Sequence, residues 1–155
     1  MDLLRWFREN QPNADVARVE TEGMHLRVYC ARPGILIGKQ GATVIAIKEA
    51  LEKLLGAIHL EIREIRTPEA EPLLVATSVL RMIDRGIAID KALEKSVKNA
   101  ARFAKAGCRI RISGAKGEHS RASDDFSEGG AVYATEEMSG TVCEVWICRP
   151  TGGAL

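Results

Sequence analysis

The chain has 155 residues, 46% of them apolar and 28% charged, with a net charge of +1. That is enough for one domain or two small ones with buried cores, and the balance excludes a disordered polar polypeptide. No apolar run reaches the roughly 20 residues of a bilayer-spanning helix, and the acid-bearing start MDLLRWFREN lacks the long apolar segment of a secretion signal.

In chain order, Asp2 to Glu9 reads as a short amphipathic helix and Val16 to Glu20 as a strand. Leu26, Val28 and Cys30 alternate with His25, Arg27 and Tyr29, which predicts a second, half-buried strand. A glycine-punctuated stretch follows, Pro33-Gly34-Ile35-Leu36-Ile37-Gly38-Lys39-Gln40-Gly41. Val44, Ile47, Leu51, Leu54 and Leu55 then recur at helical spacing opposite Lys48, Glu49, Glu52 and Lys53, and Gly56 ends that helix. Ile58, Leu60 and Ile62 alternate with His59, Glu61 and Arg63 as a third strand.

Thr67-Pro68 marks a boundary: Thr67 is placed to cap the next helix and Pro68 suits its first turn. That helix is expected to run to about Arg85, with Gly86 breaking it, and a second from about Asp90 to Ala106, ended by Gly107. Cys108, Ile110 and Ile112 alternate with Arg109, Arg111 and Ser113, a weak strand lies near Val132 to Thr135, and Cys143, Val145 and Ile147 alternate with Val142, Glu144, Trp146 and Cys148. The second unit therefore reads as two helices followed by a small, mostly antiparallel sheet, and the fold class as α+β.

The glycine stretch resembles a nucleotide P-loop only superficially. A P-loop needs four residues between its first glycine and its Gly-Lys pair, then Ser or Thr to hold magnesium. Here Gly34 and Gly38 are separated by three large apolar residues, and Lys39 is followed by Gln40. A dinucleotide fingerprint fails as well, because no Gly-x-Gly precedes Gly38-x-x-Gly41. What fits is a short helical turn from Pro33 that buries Ile35, Leu36 and Ile37, then a tight Gly38-Lys39-Gln40-Gly41 link into a helix starting at Ala42. Glycines allow close backbone approach, the helix N-terminus offers N–H groups to an anion, and Lys39 adds positive charge. That is a clamp for a sugar-phosphate backbone, like the GxxG of KH domains.

Charge is segregated along the second unit. Residues 91–121 hold nine bases and two acids, whereas residues 122–144 hold six acids and no base. Lys91, Lys95, Lys98, Arg102 and Lys105 recur at intervals of four, three, four and three, which aligns them on one helix face with Leu93, Val97, Ala100 and Ala104 opposite. Such a stripe fits phosphate contact. Arg109 and Arg111 on the outward side of the next strand, with Lys116 and Arg121 beyond, extend the same basic surface and would position phosphates without reading sequence. The acidic segment suits docking of a basic neighbour or simple solvation. The four cysteines form no Cys-x-x-Cys pair, and Cys143 and Cys148 would point to opposite strand faces, so reduced thiols and no metal are expected. His25, His59 and His119 are scattered, Trp6 and Phe7 suit packing of the first helix on the sheet, and Trp146 suits a core or protein contact. No nucleophile–base pair is evident, so neither enzyme activity nor a cofactor is expected.

The run Ala31 to Gly41 is very similar to the signature of the small-subunit ribosomal protein three family. Pro68-Glu69, Leu74-Val75-Ala76, Val97-Lys98-Asn99-Ala100, the Gly107 turn, Ser113-Gly114 and Val145-Trp146-Ile147 fall in family order, so the resemblance covers about Val16 to Arg149. It implies an N-terminal type II KH domain at 1–66, followed at 67–155 by a small domain of two helices and an antiparallel sheet. It implies a place on the head of the small ribosomal subunit beside the mRNA entrance, with small-subunit rRNA, mRNA and neighbouring head proteins as partners and no membrane. The RNA-contacting residues expected in this chain are Arg32, Gly38, Lys39, Gln40 and Gly41 of the clamp, together with the bases from Lys91 to Arg121 read above from spacing and charge.

The chain departs from the family where relatives carry a basic cluster at the start of the striped helix. Only Lys91 remains of it, beside Asp90 and Glu94, which bears on the helix-unwinding attributed to that segment. The stretch from Arg121 to Met138 is short and acidic. These features favour a ribosome in which protein contacts replace RNA contacts, such as the mitochondrial one, over a bacterial or plastid ribosome. The competing reading is a free KH adaptor or ribosome assembly factor.

Overall fold

The structure, a computed structural model, describes residues 2–104 (backbone alone at 103 and 104), 107–124, 126–127, 129 and 131–148. The chain divides into two compact units, Met1–Arg66 and Thr67–Leu155.

The first unit runs α1 (Leu3–Asn10), β1 (Val16–Glu22), β2 (His25–Cys30), α2 (Pro33–Ile37), α3 (Ala42–Leu55) and β3 (His59–Glu64). Asp2 caps α1, its side chain accepting from the Arg5 N–H at 3.2 Å. β2 is the central strand, antiparallel to β1 and parallel to β3. A parallel neighbour cannot be reached by a hairpin, so the chain must cross over one sheet face, and α2 and α3 form that crossover. This order and pairing are those of a type II KH domain. Leu26, Val28 and Cys30 are all buried, as their alternation requires, and meet Phe7, Val16, Leu36, Ile47 and Leu51 in one core. Trp6 packs against the same cluster, its ring edge-on to Phe7 at 5.1 Å.

Two expectations about this core are corrected. Of Ile35, Leu36 and Ile37 only Leu36 is buried; Ile35 and Ile37 are exposed. A helix of five residues turns successive side chains by about 100°, so a single core can receive only one of three neighbours. Likewise α3 buries Ile47 and Leu51, while Leu54 and Leu55 stand exposed in the last turn before Gly56.

The second unit begins with a 3₁₀ turn at Pro68–Ala70, then α4 (Pro72–Asp84), α5 (Ile89–Ala104), β4 (Cys108–Gly114), β5 (His119–Ala122), β6 (Ala131–Met138) and β7 (Thr141–Cys148). The single helix expected from Pro68 is thus split, and the Thr67 side chain makes no cap bond. Pro72 has no N–H to give the Pro68 carbonyl and its ring would collide with it, so the helix restarts with Pro72 in its first turn. The sheet order is β5-β4-β7-β6, antiparallel throughout. α4 lies over β6 and β7, α5 over β4 and β5. Val79, Leu80, Ile83, Leu93, Val97, Ile110, Ile112, Val145 and Ile147 fill the space between helices and sheet. The β6–β7 hairpin turns on Ser139 and Gly140, both at positive φ (53° and 77°), the geometry that matches strand twist. Gly114 lies against that turn, where a Cβ would run into the Gly140 carbonyl oxygen.

Strand β5 has no counterpart in the sequence pattern, because His119-Ser120-Arg121-Ala122 is too short and polar to show an apolar alternation. β6 is longer than the weak Val132–Thr135 signal, since pairing with β7 extends it to Met138. Among the described residues no helix is long and apolar enough to cross a membrane.

All four cysteines are free thiols. Burial pushes the Cys30 thiol up to about 11, and those of Cys108 and Cys143 up to about 12, so all three stay protonated at neutral pH and are poor nucleophiles. Cys148 is only half-buried, its S–H donating to the Ser127 carbonyl at 2.7 Å. A chromogenic disulfide reagent at pH 7.5 should therefore titrate about one thiol quickly in the native chain and the remaining thiols only in denaturant. Rapid release from two or more would show that the cores open.

Candidate nucleic-acid interface

In the first unit, α2 ends at Gly38, whose N–H donates to the Gly34 carbonyl at 2.9 Å. Gly38 has φ 75° and ψ 180°, a conformation essentially reserved for glycine, and a Cβ there would run into the Thr43 side chain and lie 2.8 Å from its backbone nitrogen. Gln40 and Gly41 follow in left-handed conformations, φ 55° and 78°, and a Cβ at Gly41 would meet only Val44 Cγ1, at 4.0 Å. The consequence is a tight bend that presents Lys39 and Gln40 to solvent and leads straight into α3, which has neither a side-chain cap nor an acid in its first turn. Among the described residues, no acid in the first turn of α3 competes for an anion at that helix end.

Arg32 stands at the other end of α2 from Gly38, with Nε 3.7 Å from Asp15 Oδ2. It is therefore shared with an acid, whereas Lys39 projects from the tip. The exposed Ile35 and Ile37 on α2, and Ile45 on α3, are surface features that the sequence reading missed. The signal is there: three consecutive large apolar residues on one short helix cannot all face inward.

In the second unit, Lys91, Lys95, Lys98 and Arg102 are all exposed on α5, while Ala92, Leu93, Ser96, Val97 and Ala100 are buried on its other side. The bases line one shallow, open trough together with Glu94, Asn99 and Ala101. Lys98 Nζ is bonded to Glu94 Oε1 at 2.8 Å, and that contact, with Arg121 nearby, holds the Glu94 carboxyl below its usual range. Lys105 lies outside the described residues, as does the Ala104 side chain.

The remaining bases do not form one surface with the stripe. Arg121 stands opposite Ile110, on the side of the sheet that α5 covers, and so joins the stripe through Glu94. His119 is on the same side, with Nδ1 4.0 Å from Asp90 Oδ1. Arg109 and Arg111 point to the opposite face, because residues of odd and even number on β4 alternate across the sheet. There Arg111 pairs with Glu118 at 3.1 Å and Arg109 lies over the Trp146 ring. Lys116 is exposed in the β4–β5 turn. The expected continuous basic surface is thus corrected to a stripe on α5 plus Arg121, a turn lysine, and two arginines on the far side of the sheet.

The KH domain model matches residues 6–70, the segment that builds the three-stranded sheet and its GxxG crossover. The small ribosomal subunit protein uS3 of Pseudomonas paraeruginosa is 31% identical over 96% of this chain and 74% of the relative. The chain belongs to the uS3 family. The uS3 of Pseudomonas fluorescens aligns over the same shares at 30% identity, and that of a Caulobacter species at 38% over 67% of this chain and 44% of the relative. Both units of the fold thus fall within the alignment to the two Pseudomonas relatives. These relatives are bacterial, and the mitochondrial expectation finds no support among them.

The two glycines of α2 should behave oppositely. Gly38→Ala is expected to lower stability by at least about 1–3 kcal/mol, from forbidden backbone and the Thr43 overlap. Gly34→Ala, with open space around it inside a helix, should be neutral or stabilising by up to about 1 kcal/mol. Urea unfolding of the two variants checks this, and equal effects would mean that the bend is not as described.

Proposed function

We propose that this chain is a structural protein of the head of the small ribosomal subunit, which binds rRNA and borders the mRNA entrance, with no reaction of its own. The observation that supports it most is the α5 stripe in a member of the uS3 family. Four bases lie within about 60° of arc on a helix whose other side is locked into a core. Bases on a rigid backing lose little further freedom on contact, so each counterion they displace counts toward affinity. Lysines and arginines of this kind fix the register of a backbone and do not read bases. Glu94 takes up Lys98, and Asp90 stands at the helix start, so the stripe is weaker than a purely basic cluster. That supports holding a strand rather than forcing a duplex apart.

The GxxG bend is the second contact in this reading. Lys39, with Gln40 and the backbone N–H groups that open α3, would clamp a short stretch of single strand. Arg32 and Lys116 are assigned lesser shares, since Arg32 already faces an acid and Lys116 stands in a turn apart from the stripe, and Arg109 and Arg111, on the far face of the sheet beside carboxylates, are assigned none. The bacterial relatives support a ribosome of bacterial type, and the grounds for a mitochondrial one are the near-neutral charge, the reduced basic cluster and the short acidic stretch from Arg121 to Met138.

The tagged chain should co-sediment with small subunits through a high-salt wash. Recovery only in ribosome-free fractions would favour the free KH adaptor or assembly factor. Replacing Lys95, Lys98 and Arg102 with Glu should weaken binding to small-subunit rRNA and reduce the slope of log affinity against log salt by about 2–3. An unchanged slope would remove the stripe from the interface.

A further inference from the structure

One edge of the basic stripe on α5 is acidic, and that edge meets β5. By helix geometry Glu94 lies about 40° to one side of Lys98, and Asp90 about 40° further round. Across from them His119 and Arg121 of β5, opposite Ile112 and Ile110, share the sheet face that α5 covers. Four helical residues rise about 6 Å and two strand residues about 6.6 Å, so the two acids and the two bases run in step. His119 Nδ1 is 4.0 Å from Asp90 Oδ1. Glu94 Oε1 accepts from Lys98 Nζ at 2.8 Å, and Arg121 acts on the same carboxylate from the other element.

Glu94 is thus an anion between two bases, one from the helix and one from the strand. The Glu94 and Lys98 side chains are 42% and 72% exposed, so a dissolved anion reaches the same place. A carboxylate and a phosphodiester make the same demand there, an anionic oxygen that accepts from an ammonium and a guanidinium. An exposed pair spaced i,i+4 adds little stability, so it is readily exchanged.

We propose that Glu94 is a placeholder in a phosphate subsite: in the free chain it stands between Lys98 and Arg121, and an RNA backbone phosphate takes its place when the α5 stripe binds. The assignment rests on the stripe reading above. Arg121 then reaches RNA across the seam between α5 and β5. Lys98 and Arg121 exchange one anion for another and shed few counterions, so RNA is held less tightly, and with a shallower salt dependence, than the count of bases implies.

Binding of a single-stranded oligouridylate to the full chain, measured over a range of salt, tests this as a double-mutant cycle. Glu94→Gln should raise affinity about five- to tenfold and steepen the slope of log affinity against log salt by about 0.7–1. Arg121→Gln alone should lower affinity by less than about threefold, because the lost phosphate contact is offset by the lost contact to Glu94. Added to Glu94→Gln, it should remove most of the gain. Glu118→Gln changes the net charge equally but lies beside Arg111, and should shift affinity by less than about twofold. Urea midpoints close to the parent's show that each variant is folded. A Glu94→Gln chain that binds no tighter, a gain that survives Arg121→Gln, or an equal gain from Glu118→Gln overturns the placeholder. If replacing Lys95, Lys98 and Arg102 with Glu leaves oligouridylate binding unchanged, the stripe reading falls and the placeholder with it. Binding that needs the stripe but ignores Glu94→Gln removes the placeholder alone.

Discussion

Each sheet in this chain is buried on one face only, and the placement of every candidate contact depends on that. In the first unit the parallel pairing of β2 with β3 obliges the chain to cross one face, and the crossover carries the Gly38–Gly41 bend. In the second unit two helices cover the inner face, so period-two alternation sends Ile110 and Ile112 inward and Arg109 and Arg111 outward. Burial therefore comes first, and the charged residues are left where burial does not need them.

The electrostatics follow the same partition. On α5 the bases occupy the side that the core does not use, and Glu94 tempers them through Lys98. On the KH sheet the outward residues are matched among themselves: Glu61 bonds His25 and accepts from Arg63, which holds its carboxyl below the ordinary range, and Arg27 lies 3.3 Å from Glu22. Exposed pairs of this kind add little stability. They do leave that sheet face electrically quiet, in contrast to the GxxG tip in the same unit and the α5 stripe in the other.

Much of this is legible in the amino-acid sequence. Alternation marks Leu26, Val28 and Cys30 as an inward row, and all three are buried; on the last strand both rows carry apolar residues, and the fold decides that Cys143, Val145 and Ile147 face inward. Spacings of three and four place Lys91, Lys95, Lys98 and Arg102 on one face, because a helix repeats every 3.6 residues whatever it packs against. The loop arithmetic around Gly34, Gly38 and Gln40 removes a nucleotide cradle, since covalent spacing alone fixes whether phosphate and magnesium ligands can converge.

What the sequence determined by itself is what local periodicity and covalent geometry control: element types, the inward rows of β2 and β4, the basic stripe and the two-glycine bend. Only the tertiary structure decided the rest. That β3 pairs parallel to β2 is a long-range choice, as is the pairing that makes His119–Ala122 a strand. With that strand in place, Arg121 joins the α5 stripe while Arg109 and Arg111 face away beside Trp146 and Tyr133. Exposure of Ile35, Ile37, Leu54 and Leu55 likewise depended on where the core ends, which apolarity alone does not state. Strand register is set by residues far apart in the chain, so which charges share a face is a property of the fold.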